Sequence, residues 1–238
     1  MTNRDEMIHT AISARLQRVR ERITETCIHC GRAPGTVRLV AVSKTMPIDV
    51  VRSAIQSGAE ILGENYIQEA REKCRELSDT PVSWHFIGHL QTNKAKYAVK
   101  LFDLIHTVDS VHLAAELDRE ARKIGKIQQI LIQVNVGNEL SKSGVAPELA
   151  RRLICDIADY ANISVQGLMA IPPFFDAPEK VRPYFRQLRK LRDSLQDAKS
   201  LGPHLAELSM GMTGDFEAAI EEGATLVRIG TAIFGERP

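Results

Sequence analysis

No stretch of the sequence approaches the roughly 18 consecutive apolar residues that a membrane-spanning helix needs. The opening Met1-Thr2-Asn3-Arg4-Asp5-Glu6 turns polar and acidic at once, and no apolar segment of the signal-peptide kind follows it. The expected location is therefore the cytoplasm, with no membrane partner. Excess charge of one sign is also missing: 31 basic residues stand against 30 acidic ones, a net charge of +1. No basic run carries interleaved aromatics, so nothing points to nucleic acid. Cysteine is scarce, with four among 238 residues. Cys27-Ile28-His29-Cys30 has C-x-x-C spacing, but no second pair exists and the motif closes a helical pattern instead of following a strand. That reads as reduced thiols at a helix end, not as a metal or redox centre. No two-residue hairpin turn joins strand-like runs, no glycine-rich dinucleotide loop follows the first of them, and no low-complexity linker divides the chain.

What is present is a strict alternation. Ile8, Ile12, Leu16, Val19, Ile23 and Cys27 recur at spacings of three and four, one face of a long helix that Gly31 and Pro34 end. Eight strand-like runs follow, beginning at Val37, Ala59, Val82, Phe102, Gln129, Ser164, Leu205 and Ala224. A helical pattern follows each of the first seven. Alternation without hairpins implies a parallel sheet with crossover helices. Eight such units in this length predict an α/β fold: a (β/α)8 barrel with an extra N-terminal helix, in one domain spanning residues 1–238. An open doubly wound sheet fits less well, because Ser43-Lys44-Thr45-Met46-Pro47 is no dinucleotide loop.

In such a barrel the functional residues stand at the carboxyl ends of the strands. The first strand, Val37-Arg38-Leu39-Val40-Ala41-Val42, has the composition of a strand buried on both faces, and it ends in Ser43-Lys44. A lysine there is costly as a packing residue, and a desolvated amine can attack an aldehyde to form a Schiff base. The other strand ends offer Asn65 and Tyr66; His89, Gln91 and Asn93; His106 and Thr107; Asn135, with Lys142 further along its loop; and Met169. The last two offer Ser209, Gly211 and Thr213, then Arg228, Gly230 and Thr231. Loops after strands seven and eight often cradle phosphate. A Schiff-base lysine beside a phosphate cradle suggests pyridoxal 5′-phosphate, with Arg228 facing the pyridine nitrogen. Blander readings stay open. Lys44 can be a solvated loop lysine, a phosphate contact in a sugar-phosphate enzyme, or the Schiff-base amine of a sugar-phosphate aldolase. Arg228 can pair with Glu60 or Asp215. His89 and His106 read as polar loop residues, His85 as a core histidine with its hydrogen bonds satisfied, and Lys142 as a surface lysine.

Several blocks go further. Leu39-Val40-Ala41-Val42-Ser43-Lys44-Thr45, Gly63-Glu64-Asn65-Tyr66-Ile67-Gln68-Glu69 and Trp84-His85-Phe86-Ile87-Gly88-His89-Leu90-Gln91-Thr92-Asn93-Lys94 resemble the pyridoxal phosphate homeostasis protein family. So do Asn138-Glu139-Leu140-Ser141-Lys142-Ser143-Gly144, Gly167-Leu168-Met169-Ala170-Ile171-Pro172, Leu208-Ser209-Met210-Gly211-Met212-Thr213-Gly214 and Val227-Arg228-Ile229-Gly230-Thr231. The resemblance covers nearly the whole chain and implies the fold of the N-terminal barrel of alanine racemase. It implies that Lys44 holds the cofactor as a Schiff base, that Ser209, Gly211, Gly230 and Thr231 contact its phosphate, and that Arg228 faces its ring nitrogen. Asn65 and Thr213 complete the expected cofactor set, and Lys142 is a candidate second amine for transfer. Thr213 and Thr92 stand where serine is common in the family, and both keep the hydroxyl. The implied function is buffering and supply of pyridoxal phosphate, with no established turnover and with apo-enzymes as recipients. The rival reading is an amino-acid racemase. The racemase's second domain has no counterpart in the sequence, so the chain is expected to be a monomer.

Overall fold

The computed structural model describes residues 3–139, 142–197 and 205–236. Helix α1 (Asn3–His29) comes first. Eight parallel strands then close into a barrel in chain order: β1 (Arg38–Val42), β2 (Ile61–Glu64), β3 (Ser83–Phe86), β4 (Leu104–Val108), β5 (Gln128–Gln133), β6 (Ile163–Met169), β7 (Glu207–Ser209) and β8 (Leu226–Ile229). Helices α2 (Ile48–Gln56), α3 (Ile67–Glu76), α4 (Ala95–Leu101), α5 (Val111–Lys123), α6 (Ala150–Asp156), α7 (Pro178–Asp197), α8 (Phe216–Glu221) and α9 (Thr231–Phe234) surround it. The expected (β/α)8 barrel with its N-terminal helix is the fold. No described helix is long and apolar enough to cross a membrane.

The strands are buried because they are covered twice. Alternate residues such as Ala41, Leu62 and Ile105 pack outward under the helices. Val40, Ile61, Leu104, Leu131, Met169 and Leu226 form a separate cluster filling the barrel axis. Strand register carries this inward set around the ring, with Val40 opposite Arg228, Gly63 opposite His85 and Met169 opposite Ser209. Helix α1 buries Ile12, Leu16, Val19, Ile23 and Cys27, the stripe read from the sequence. Each such aliphatic side chain contributes about 1.5–3 kcal/mol when fully buried. The stripe lies on α2, α8 and α9, the helices flanking the seam where β8 pairs with β1. Arg22 stacks on Phe216 at 4.6 Å and pairs with Glu217, tying α1 to α8.

Most strand boundaries shift by one or two residues from the sequence reading, and the shift in β4 bears on the site. The fourth strand runs on through His106, Thr107 and Val108, all buried, so His106 is no loop residue. His106 is tolerated there because it faces a barrel interior that offers Ser209 and His85 as partners, while Thr107 bonds the Gly88 carbonyl. The sixth helix stops at Asp156, and Asp118 accepts the Asn162 amide at 2.7 Å just before β6 begins. Cys27 lies in the last turns of α1 and Cys30 just beyond its end, where the Cys30 thiol donates to the Cys27 carbonyl at 3.4 Å. Among the described residues no group of three or more His, Cys, Asp or Glu is placed to hold a metal.

Candidate functional site

Lys44 stands two residues beyond β1, half-buried, at the carboxyl end of the barrel. Asn65 follows β2 directly, Gly211 and Thr213 follow β7, and Gly230 and Thr231 follow β8. The pairings β1–β2, β1–β8 and β7–β8 make these four strands one contiguous arc of the rim. Two glycines let the loops close there. Gly211 has φ +91°, and a Cβ on it would lie 2.6 Å from the Ala219 Cβ. Gly88 is pressed on β2's exit, where a Cβ would lie 2.3 Å from the Asn65 carbonyl oxygen. Thr107 then donates its hydroxyl to the Gly88 carbonyl at 2.6 Å, linking the ends of β2, β3 and β4.

Arg228 points inward and is 4 % exposed. It donates to the Ser209 hydroxyl at 2.6 Å and to the Ala170 carbonyl at 2.9 Å. Neither Glu60 nor Asp215 forms an ion pair with it, and no carboxylate does among the described residues. A cation buried against neutral acceptors is costly. Burial lowers its pKa to about 10, and Asp215 opposes that only at a distance. The guanidinium therefore presents a buried positive charge to whatever enters the mouth.

Ser209 passes this polarity on. Its hydroxyl lies 2.9 Å from His106 Nδ1, and His106 Nε2 lies 3.0 Å from His85 Nδ1. The chain Arg228–Ser209–His106–His85 crosses the barrel interior. Arginine only donates, so Ser209 must accept from it. Burial, first of all, keeps both imidazoles neutral. It lowers His85 to about 3, with Arg38 adding to the effect, and holds His106 well below its ordinary value, with His85 and Arg228 adding to it.

That arrangement predicts an acid-sensitive fold. Both folded-state pKa values lie below the unfolded value of about 6.5, so their stabilisation is complete above that pH and is lost as pH falls. Each histidine should cost about 1.4 kcal/mol between about pH 7.5 and pH 5.5. Urea unfolding at the two pH values should show the drop, and a His85→Gln, His106→Gln protein should lose most of it. An undiminished drop in that variant would place the titration elsewhere.

The far side of the mouth holds Lys142. A cavity of 210 Å³ is lined there by Asn65, His89, Gln133, Lys142, Ser143 and neighbours. Lys142 donates to the Pro172 carbonyl at 3.0 Å and pairs with Glu139. Leu140 and Ser141 of that loop lie outside the described residues. Asn65 Oδ1 is buried with no hydrogen-bond partner among the described residues, an acceptor in want of a donor. His89 is exposed, as expected of a loop histidine, and lies 3.1 Å from the Ser143 hydroxyl.

Two residues near Lys44 escaped the sequence reading. Glu64 and Lys73 form a buried ion pair of 2.8 Å between β2 and α3. Glu64 closes β2 between Gly63 and Asn65, and no spacing there marks it as buried. Lys73 does carry a signal, since it falls in register with Ile67 and Ala70 on the buried face of α3. Removing one partner alone would strand a buried charge at a cost of about 3–5 kcal/mol.

Residues 11–238 match the family model described as alanine racemase, N-terminal domain. The chain is 49% identical over 223 residues to the pyridoxal phosphate homeostasis protein of Aquifex aeolicus, covering 94% of this chain and 97% of that protein. It is 40% identical over 232 residues to the protein of the same name in Escherichia coli, covering 95% and 97%. Among solved structures, PipY of Synechococcus elongatus with PLP bound superposes with a TM-score of 0.82 at 36% identity, covering 94% of this chain and all of that one.

Proposed function

The chain belongs to the pyridoxal phosphate homeostasis protein family, and from that premise we propose that it holds pyridoxal 5′-phosphate as a Schiff base on Lys44 and buffers its supply. One observation carries the reading: Arg228 is a buried cation with no carboxylate partner among the described residues, one residue before the end of β8 and on the strand beside that of Lys44. The residues present fit the cofactor. Arg228 offers a donor to a ring nitrogen, and Asn65 Oδ1 lacks a partner. Gly211 and Gly230 keep the backbone open on adjacent strands, beside the hydroxyls of Thr213 and Thr231. Bound there, the cofactor supplies an aldehyde that a lysine amine can trap.

Arg228 also bears on catalysis. A donor aimed at the ring nitrogen leaves that nitrogen unprotonated, which weakens the cofactor as an electron sink. We read the protein as a cytoplasmic monomeric carrier, with apo-enzymes as recipients, and not as a racemase. Borohydride reduction of the protein with its cofactor should place a pyridoxyl adduct on Lys44 by mass spectrometry. Incubation with a panel of L-amino acids should yield no D-isomer by chiral chromatography. Turnover of about 1 per second, the low end of ordinary enzymes, would make the racemase reading the right one.

Lys142 has a part in release. It lines the same mouth cavity as Asn65 and offers a second amine, so amine exchange would let the cofactor leave without hydrolysis. Lys142→Ala should slow transfer to an apo-enzyme while adduct formation at Lys44 persists. Equal transfer rates would remove that role.

A further inference from the structure

One buried polar cluster faces away from the barrel axis and has no part in the cofactor contacts: Ser43, Glu64 and Lys73, with Glu69 at its edge. Lys73 and Glu64 are 5 % and 0 % exposed. An ion pair that only joined α3 to the sheet would need no more than its two charges. This one also engages the residue next to Lys44, although Glu64 Oε2 stays buried without a partner among the described residues. Lys73 Nζ donates to the Ser43 carbonyl at 2.6 Å, and the Ser43 hydroxyl donates to Glu64 Oε1 at 2.6 Å. Glu69, 3.6 Å from the same Nζ, accepts the Thr45 amide at 2.8 Å. Ser43 and Thr45 are the two neighbours of Lys44. Thr45 has φ +64°, a conformation that β-branched residues avoid, and the Glu69 bond lies on that residue's own amide.

We propose that Lys73, Glu64 and Glu69 are positioning residues for Lys44. The ion pair and Glu69 grip the peptide units on both sides of it, from outside the barrel, so that its amine leaves the strand end already aimed into the mouth. This rests on the reading of Lys44 as the Schiff-base lysine. Schiff-base formation joins Lys44 Nζ to the aldehyde carbon. The aldehyde oxygen leaves as water with two of the three ammonium protons, and the third stays on the new imine nitrogen. Orientation of the amine enters that step directly, whereas non-covalent cofactor contacts do not depend on it.

Two probes separate these effects: pyridoxal 5′-phosphate, whose aldehyde can bond to Lys44, and pyridoxine 5′-phosphate, whose alcohol cannot. The first variant is Glu69→Ala, at a partly exposed position. The second is the pair Glu64→Gln with Lys73→Met, which removes both buried charges together instead of stranding one. In each, the rate of Schiff-base formation and the affinity for the aldehyde should fall by about tenfold or more, while calorimetric affinity for the alcohol changes by less than about twofold. Parallel losses for both probes would reduce the cluster to general structural support, and no loss for either would remove its role; both overturn the proposal. If the pair variant fails to fold, Glu69→Ala decides alone. A wild-type protein that forms no Schiff base at Lys44 would instead sink the underlying reading, and with it the proposal, before any variant is compared.

Discussion

Lys44→Ala should abolish the borohydride-stable pyridoxyl adduct at residue 44 and most of the visible absorption of the Schiff base. The loss at that position is complete because no other described lysine stands at the end of β1, while the neighbouring peptide units stay held by Lys73 and Glu69; any adduct that remains should sit on Lys142, the second amine of the mouth. Removing the side chain leaves those bonds in place, so the far-ultraviolet circular dichroism should not change. Cofactor should still enter and leave through Arg228 and the rim glycines, detectable by calorimetry as weaker, reversible binding. An adduct found at another lysine in the wild type, with Lys44 unlabelled, would overturn the assignment.

Arg228→Met should separate the two roles of a buried charge. With no ligand, the guanidinium is an unpaired cation among neutral acceptors, and replacing a buried charge with an apolar side chain of similar volume is often neutral or stabilising. The melting temperature of the cofactor-free variant should therefore hold or rise. Cofactor binding should fall in the other direction. Losing one partner of a buried charged contact costs about 3–5 kcal/mol, or about two to three and a half orders of magnitude in affinity. The spectrum of any residual complex should shift, since the ring nitrogen would lose its donor. Titration of wild type and variant by absorbance checks both points. Unchanged affinity and spectrum would make Arg228 a purely structural residue, held by Ser209 and Ala170.

The barrel was legible in the sequence because its cause is local. A strand covered on both faces must be apolar along its whole length, and a crossover helix must carry one apolar stripe; both patterns repeat in order from Val37 to Ile229. Strand ends follow from that order, so Lys44, Asn65, Ser209, Gly211, Arg228 and Gly230 could be placed on one rim before any coordinates. The inward or outward direction of a polar residue could not. His106 reads as a loop residue until the register of β4 turns it toward Ser209 and His85, 103 and 21 residues away in sequence. Lys73 falls by spacing on the buried stripe of α3, but its partner appears only when α3 docks on β2 and brings its amine to the Ser43 carbonyl, 30 residues away. In both cases the deciding energy is the cost of burying a polar group without a partner. That cost depends on which partner the closed barrel supplies, a long-range contact that no spacing along the chain encodes.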